Sequence, residues 1–177
     1  MKLIPNKKQR GFTLIEILVS LVVLAIGLLG LAGLQAAGLR NNNSAYHRSQ
    51  ATLLANDIID KMRVNGGEAL APARNYNIAL GAAPAGNPDC EGGTCTTAVM
   101  AAYDLNQWLC SLGNFDANAS CTNLGIIGLL PSGDGGVTVG AINAVTGSAP
   151  VTVQVRWADQ RNGNTVTVTV NTQISPF

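Results

Sequence analysis

Histidine is almost missing from this 177-residue chain, which has only His47. A histidine-rich metal centre is therefore excluded. Aromatic residues make up 5% of the chain and charged residues 12%. With 11 Lys+Arg against 10 Asp+Glu the net charge is +1. That lacks the basic excess on which phosphate-driven binding depends, so no direct contact with nucleic acid is expected. The 47% hydrophobic content equally excludes a charged disordered chain. No Gly-x-Ser-x-Gly, phosphate-binding GK[ST] or HExxH pattern occurs, so neither an enzyme nor a cofactor is expected. Proline is absent between Pro5 and Pro72, and nothing of that kind interrupts a helix there.

What is present is unevenly placed. Lys2, Lys7, Lys8 and Arg10 all lie in the first eleven residues, which hold no acid. Residues 12–34 then read FTLIEILVSLVVLAIGLLGLAGL, with Glu16 as the one charge. As a helix this run spans roughly 35 Å, enough to cross a bilayer core. The upstream positive charges keep the N-terminus in the cytoplasm and send the remainder across. An ordinary secretory signal places a small-residue cleavage site after its apolar run. Here the small residue, Gly11, stands before it.

The sequence Gly11-Phe12-Thr13-Leu14-Ile15-Glu16, followed by an unbroken apolar helix, closely resembles the class III signal of type IV pilins and of type II secretion pseudopilins. The resemblance implies that a prepilin peptidase cuts after Gly11 and that the new N-terminal residue, Phe12, is N-methylated. It also implies a role for Glu16. Thr13-x-x-Glu16 is a capping-box pattern, and acids suit the first turn of any helix. Capping accounts less well for a carboxylate leading 18 uncharged residues, because a charge inside hydrocarbon normally needs a partner. The family supplies one in the N-terminal amine of a neighbouring subunit, and the two roles are compatible.

Beyond Asn41-Asn42-Asn43-Ser44 the pattern turns amphipathic, with Ala51, Leu54, Ala55, Ile58 and Met62 at spacings of three and four. Asp57, Asp60, Lys61 and Arg63 take other positions and read as a solvated face. A helix over 12–65, stopped by Gly66-Gly67, is expected. Gly27, Gly30, Gly33 and Gly38 permit close helix approach in its apolar half while weakening it. Residues 66–95 read as loop. Thr96 or Thr97 caps a second helix, Ala98 to Leu112, with Val99, Ala102, Leu105, Leu109 and Leu112 as its apolar stripe and Gly113 as its stop.

The C-terminal third reads as antiparallel sheet. Asp134-Gly135-Gly136 is expected to turn into a strand over Gly136 to Ile142. Val151, Val153, Val155 and Trp157 alternate with polar residues, as do Val166, Val168 and Val170. Asn162-Gly163 signals a two-residue type I′ turn between them. That loop pairs Arg161 with Asn164, Trp157 with Val168 and Val155 with Val170. The fold class expected is α+β: a long N-terminal helix, membrane-spanning in its first half, packed on a C-terminal antiparallel sheet, the pilin-like arrangement.

Cys90, Cys95, Cys110 and Cys121 all fall on the exported side, and an even count there favours two disulfides. Local pairing, Cys90 with Cys95 and Cys110 with Cys121, is expected over the other connectivities. A zinc site would want paired Cys-x-x-Cys knuckles, which are lacking, so no metal is expected. His47 reads as a packing or solvated residue. Asn42-x-Ser44 and Asn118-x-Ser120 match glycosylation acceptors by a motif short enough to recur by chance.

The segments Ala51 to Asn65, Cys90 to Cys95 with Ala102-Tyr103-Asp104-Leu105, and Val153 to Trp157 are similar to those of the PilV-type minor pilins. The resemblance implies a low-abundance subunit that primes, initiates or modifies pilus assembly, with a minor pseudopilin of type II secretion as the alternative. Its implied partners are prepilin peptidase, other minor and major pilins, the inner-membrane assembly platform and, in some systems, a tip adhesin. The implied location is the bacterial inner membrane before assembly and the pilus afterwards. Four segments follow: leader 1–11, transmembrane or filament-core half-helix 12–34, amphipathic half-helix 35–65 and exported head 66–177.

Overall fold

A computed structural model describes residues 11–86, 88–159 and 164–176. Among these the elements run α1 (Leu14–Val64), α2 (Gly66–Ala69), α3 (Thr97–Leu112), α4 (Ala119–Leu124), β1 (Asp134–Val139), β2 (Ala149–Ala158) and β3 (Thr165–Ile174). The chain divides into two compact units between Asn42 and Asn43. The first holds the apolar part of α1, whose side chains are exposed throughout. α1 is long and apolar enough to cross a membrane, and no part of its apolar window is buried. Exposure of so many Leu, Ile and Val side chains is stable only in lipid or against other apolar helices.

The second unit is α+β. Ala51, Leu54, Ala55, Ile58, Ile59 and Met62 form the buried stripe of α1, at the spacing an amphipathic helix requires. They join Leu105, Trp108, Leu109 and Leu112 of α3 and Val151, Val153, Val155 and Trp157 of β2 in one core. The three strands form an antiparallel sheet in the order β1-β2-β3. β2 alternates strictly, apolar residues inward and polar outward. Asp134 and Arg156 face each other across β1 and β2, and the guanidinium donates to both carboxylate oxygens, at 3.0 and 2.5 Å.

α3 ends at the expected Leu112 and begins one residue earlier than expected, at Thr97. The Thr96 hydroxyl accepts from the Val99 N–H, and Gly113 at φ 115° takes the left-handed stop. A side chain at Gly113 would in any case strike the Leu130 carbonyl. Both disulfides, Cys90–Cys95 and Cys110–Cys121, have the local connectivity. The second ties α3 to α4 with both sulfurs buried. Closing a loop of this size is generally worth about 3 kcal/mol.

Several expectations need correction. Gly66-Gly67 follows the end of α1 but opens the one-turn helix α2, so residues 66–95 are not all loop. Ile78 in that stretch forms an antiparallel bridge with Val137. Val99 is 40% exposed and off the α3 stripe, which rotates to include Ala101 and Trp108. α4 has no counterpart in the sequence reading. The first strand spans Asp134–Val139 rather than Gly136 to Ile142, and Asp134-Gly135-Gly136 is strand rather than turn. Gly135 is there because Trp108 leaves no room for a side chain, and Gly136 because the backbone of Leu80 does the same.

The hairpin register also differs. Trp157 faces Val166, Val155 faces Val168 and Val153 faces Val170. The Asp159 N–H donates to the Asn164 carbonyl at 2.7 Å, which carries the observed register one pair beyond Ala158 and Thr165. Arg161, Asn162 and Gly163, and the turn type assigned to them, lie outside the described residues. A shift of two residues keeps every side chain on its face, so alternation alone does not oppose it.

Candidate functional site

Gly11, Phe12 and Thr13 belong to no helix or strand, and α1 begins at Leu14. An added side chain at Gly11 would meet nothing within 4 Å, and Phe12 is 79% exposed. The Thr13 hydroxyl accepts from the Glu16 N–H at 3.3 Å, and the Thr13 carbonyl accepts the same N–H at 3.1 Å. This is half of a capping box. The returning bond, from the Thr13 N–H to the Glu16 carboxylate, is absent among the described residues. The carboxylate of Glu16 has no hydrogen-bonding or ionic partner among them either, although it sits in the first turn of an apolar helix. Gly11, the peptide bond to Phe12, and Glu16 thus lie together on an open, uncovered segment.

Residues 6–32 match the family model described as the prokaryotic N-terminal methylation motif. Residues 33–106 match the model described as type IV pilin Tt1218. The two matches abut and together cover more than half of the chain. The chain is a member of the type IV pilin superfamily. No curated protein and no solved structure matches it. The pilin match reaches through the second half of α1 and ends inside α3, at Asn106.

The head of this pilin carries no metal-ligand cluster among the described residues. His47 is partly buried, with Nδ1 enclosed and unpaired and its ring edge-on to Tyr46 at 5.8 Å. Asp57 and Asp60 are solvated and pair along the helix with Lys61 and Arg63. The Asn118 side chain caps α4 by accepting from the Ser120 N–H, which gives that acceptor motif a structural task. Trp157 is core, and Val168 packs at its edge.

Two polar networks escaped the sequence reading. In the first, the Tyr76 hydroxyl donates to Asp104 Oδ2 at 2.6 Å, and Asn65 donates to Tyr76 and to the Thr97 carbonyl. In the second, Tyr103 donates to Glu91 at 2.6 Å and accepts from Gln107, whose amide oxygen accepts from Lys61. That chain links the Cys90–Cys95 loop through α3 to α1. The signal available was the polar run Tyr103, Asp104, Asn106 and Gln107 in the middle of a largely apolar helix.

Burial holds the Asp104 carboxyl above the usual carboxylate range, against the lowering effects of the Tyr76 hydroxyl and Lys61, while Asp57 raises it. Burial and the bond to Asp104 likewise push Tyr76 up. A native carboxyl with a raised pKa binds more protons than its unfolded counterpart. Its contribution to stability is therefore full below the ordinary value of 3.8 and is lost as pH rises through the native value. Asp104→Asn keeps an acceptor for Tyr76 and removes the titration. Denaturant unfolding of the full chain in detergent is expected to show a flatter decline in stability above about pH 4 in the variant. An unchanged pH profile would assign the slope to other groups.

Proposed function

We propose that this pilin is a minor subunit that primes, initiates or modifies the assembly of a type IV pilus. The observation that carries this reading is the carboxylate of Glu16, without a partner among the described residues, in the first turn of an uncovered apolar helix and five residues after Gly11. A positive N-terminal amine created at Phe12 of an adjacent subunit is a chemically fitting counter-charge. Pairing would neutralise both groups in a low-dielectric bundle and set the axial register of the incoming subunit. The basic leader would remain cytoplasmic, residues 12–34 would lie in the inner membrane and later in the filament core, and the head from residue 66 would be exported. The similarity of α1, the Cys90–Cys95 loop and β2 to PilV-type minor pilins supports low-abundance incorporation with other pilins. The partners proposed are prepilin peptidase, those pilins, the assembly platform and a tip adhesin.

Mass spectrometry of sheared filaments and of membranes tests this. A peptide beginning at N-methylated Phe12 is expected in the sheared fraction. Its confinement to membranes would favour the pseudopilin role, and an intact N-terminus at Met1 in both fractions would reject processing. Gly11→Val is expected to hold the chain at its full-length mass, because side-chain bulk beside the scissile bond obstructs the peptidase. A mature mass in that variant would refute the requirement for glycine.

A further inference from the structure

The two disulfides of the head differ in reach. Cys110 and Cys121 are fully buried where α3 meets α4. Cys90 and Cys95 are both partly exposed, and Glu91 to Thr94 between them are exposed as well. An added side chain at Gly93 would meet nothing within 4 Å, and one at Gly92 only the Asp89 carboxylate, at 3.7 Å. Thiol–disulfide exchange needs a thiolate to reach a disulfide sulfur. One bond offers that approach in the folded head and the other does not. Loop length matters less, since separations of 5 and 11 residues change the closure statistics by only about threefold. Access therefore decides which bond exchanges.

The exposed bond also holds something in place. Asp89 Oδ1 accepts from the N–H groups of Glu91 and Gly92, at 3.0 and 3.4 Å, which fixes the turn. That turn presents Glu91 to Tyr103 of α3, whose hydroxyl donates to Glu91 Oε1 at 2.6 Å. Tyr103 accepts from Gln107, and Gln107 accepts from Lys61 of α1 at 3.2 Å. The bond to Glu91, together with burial, holds the Tyr103 hydroxyl up at about 12, so it remains a donor at neutral pH. Further back, Asn106 donates to the carbonyls of Ala85 and Gly86, and Ser120 also donates to Gly86. Side chains of α3 and α4 thus anchor the segment at 85–86, whereas its later part is held by its own disulfide and by Glu91.

We propose that Cys90–Cys95 is a thiol-exchange site whose opening releases the Glu91 latch from α3, while Cys110–Cys121 stays closed. The co-reactant is a dithiol. Its thiolate attacks one sulfur of the pair, the Cys90–Cys95 bond breaks and a mixed disulfide forms. The departing sulfur leaves as a thiolate and takes a proton from water. The second thiol of the reagent then attacks the mixed disulfide, closes the reagent's own disulfide and frees the other cysteine. Two electrons and two protons pass in all from the dithiol to the pair. Once the ring is open, Glu91 lies on an unconstrained chain, and its bond to Tyr103 competes with water. The relay from the loop through α3 to α1 then loses its outer member. The inference concerns the head alone and does not rest on the minor-pilin reading.

Graded dithiothreitol, applied to the full chain in detergent and quenched with N-ethylmaleimide, tests the exchange site. Peptide mapping is expected to show Cys90 and Cys95 labelled at least about a hundredfold faster than Cys110 and Cys121, because the buried pair must wait for its part of the head to open. Simultaneous opening of both pairs, earlier opening of Cys110–Cys121, or resistance of both without denaturant would overturn the proposal. Amide hydrogen exchange tests the latch. In the selectively reduced, unalkylated chain it is expected to rise across residues 89–107, to leave β2 unchanged, and to fall back on reoxidation. Tyr103→Phe, with both disulfides closed, is expected to reproduce the rise in part. Selective reduction that leaves exchange at 89–107 unchanged would overturn the latch.

Discussion

Replacing Glu16 with alanine is expected to leave the chain processed after Gly11 yet nearly absent from filaments. The proposed cut follows Gly11, five residues away, on a segment that precedes α1. Assembly is different, because it would bring an N-terminal amine into an apolar bundle. Without the carboxylate that amine is an uncompensated charge. Incorporation is expected to fall on the order of a hundredfold, the size of effect seen when one member of a buried ion pair is removed. Two companion variants separate charge from capping. Gln serves a capping box as well as Glu does, so Glu16→Gln would be normal if capping were the whole role. Under the charge reading it fails like alanine, while Glu16→Asp recovers part of the loss. Quantifying the pilin in sheared and membrane fractions by mass spectrometry distinguishes these outcomes. Normal incorporation of Glu16→Ala would remove the basis of the proposed pairing.

The parts of this molecule legible in sequence are those governed by local chemistry. α1 is announced by its unbroken apolar run and then by its change to an amphipathic period. α3 is announced by Thr96 and Gly113, whose capping roles follow from residue type and position. The disulfides follow from proximity along the chain. What escaped depends on contacts distant in sequence. A glycine pair reads as a turn because nothing local reveals that Trp108 and Leu80 press on β1. Leu105, Leu109 and Leu112 are buried as the stripe requires, but Ala101 and Trp108 take the places expected of Val99 and Ala102. The hairpin offers two registers with the same inward face, and the Asn162-Gly163 turn signal favours the other one. The observed register instead sets buried Ile174 opposite buried Ala149 at the far end of the strands. That closure against the core is invisible at the turn. The site divides the same way: Gly11, Phe12 and Glu16 are adjacent in sequence, whereas Tyr76 meets Asp104, and Lys61 meets Gln107, only through the fold.

A large stability effect is expected at Gly135. An ideal Cβ there would lie 2.4 Å from Trp108 Cη2 and 2.7 Å from Leu112 Cδ1. Neither neighbour can withdraw freely. Trp108 is fully buried, and its indole N–H donates to the Leu54 carbonyl of α1 at 2.8 Å. Moving the ring would break that bond and disturb the helix–helix contact at the centre of the core. Leu112 is the last residue of α3, next to the Gly113 stop. Gly135→Val therefore requires the strand to retreat, and overpacking of this kind costs about 3 kcal/mol. For a head of this size that lowers the melting temperature by roughly 10 °C. The clash has a specific remedy. Trp108→Phe removes the atoms nearest Gly135, at the cost of its own hydrogen bond and packing. In a double-mutant cycle, Gly135→Ala with Trp108→Phe should be less destabilised than the sum of the single variants, with a coupling of about 1 kcal/mol or more. Calorimetry of the full chain in detergent measures all four proteins. Strict additivity would mean that the strand yields instead of the ring, and that close approach to Trp108 is not what requires glycine at this position.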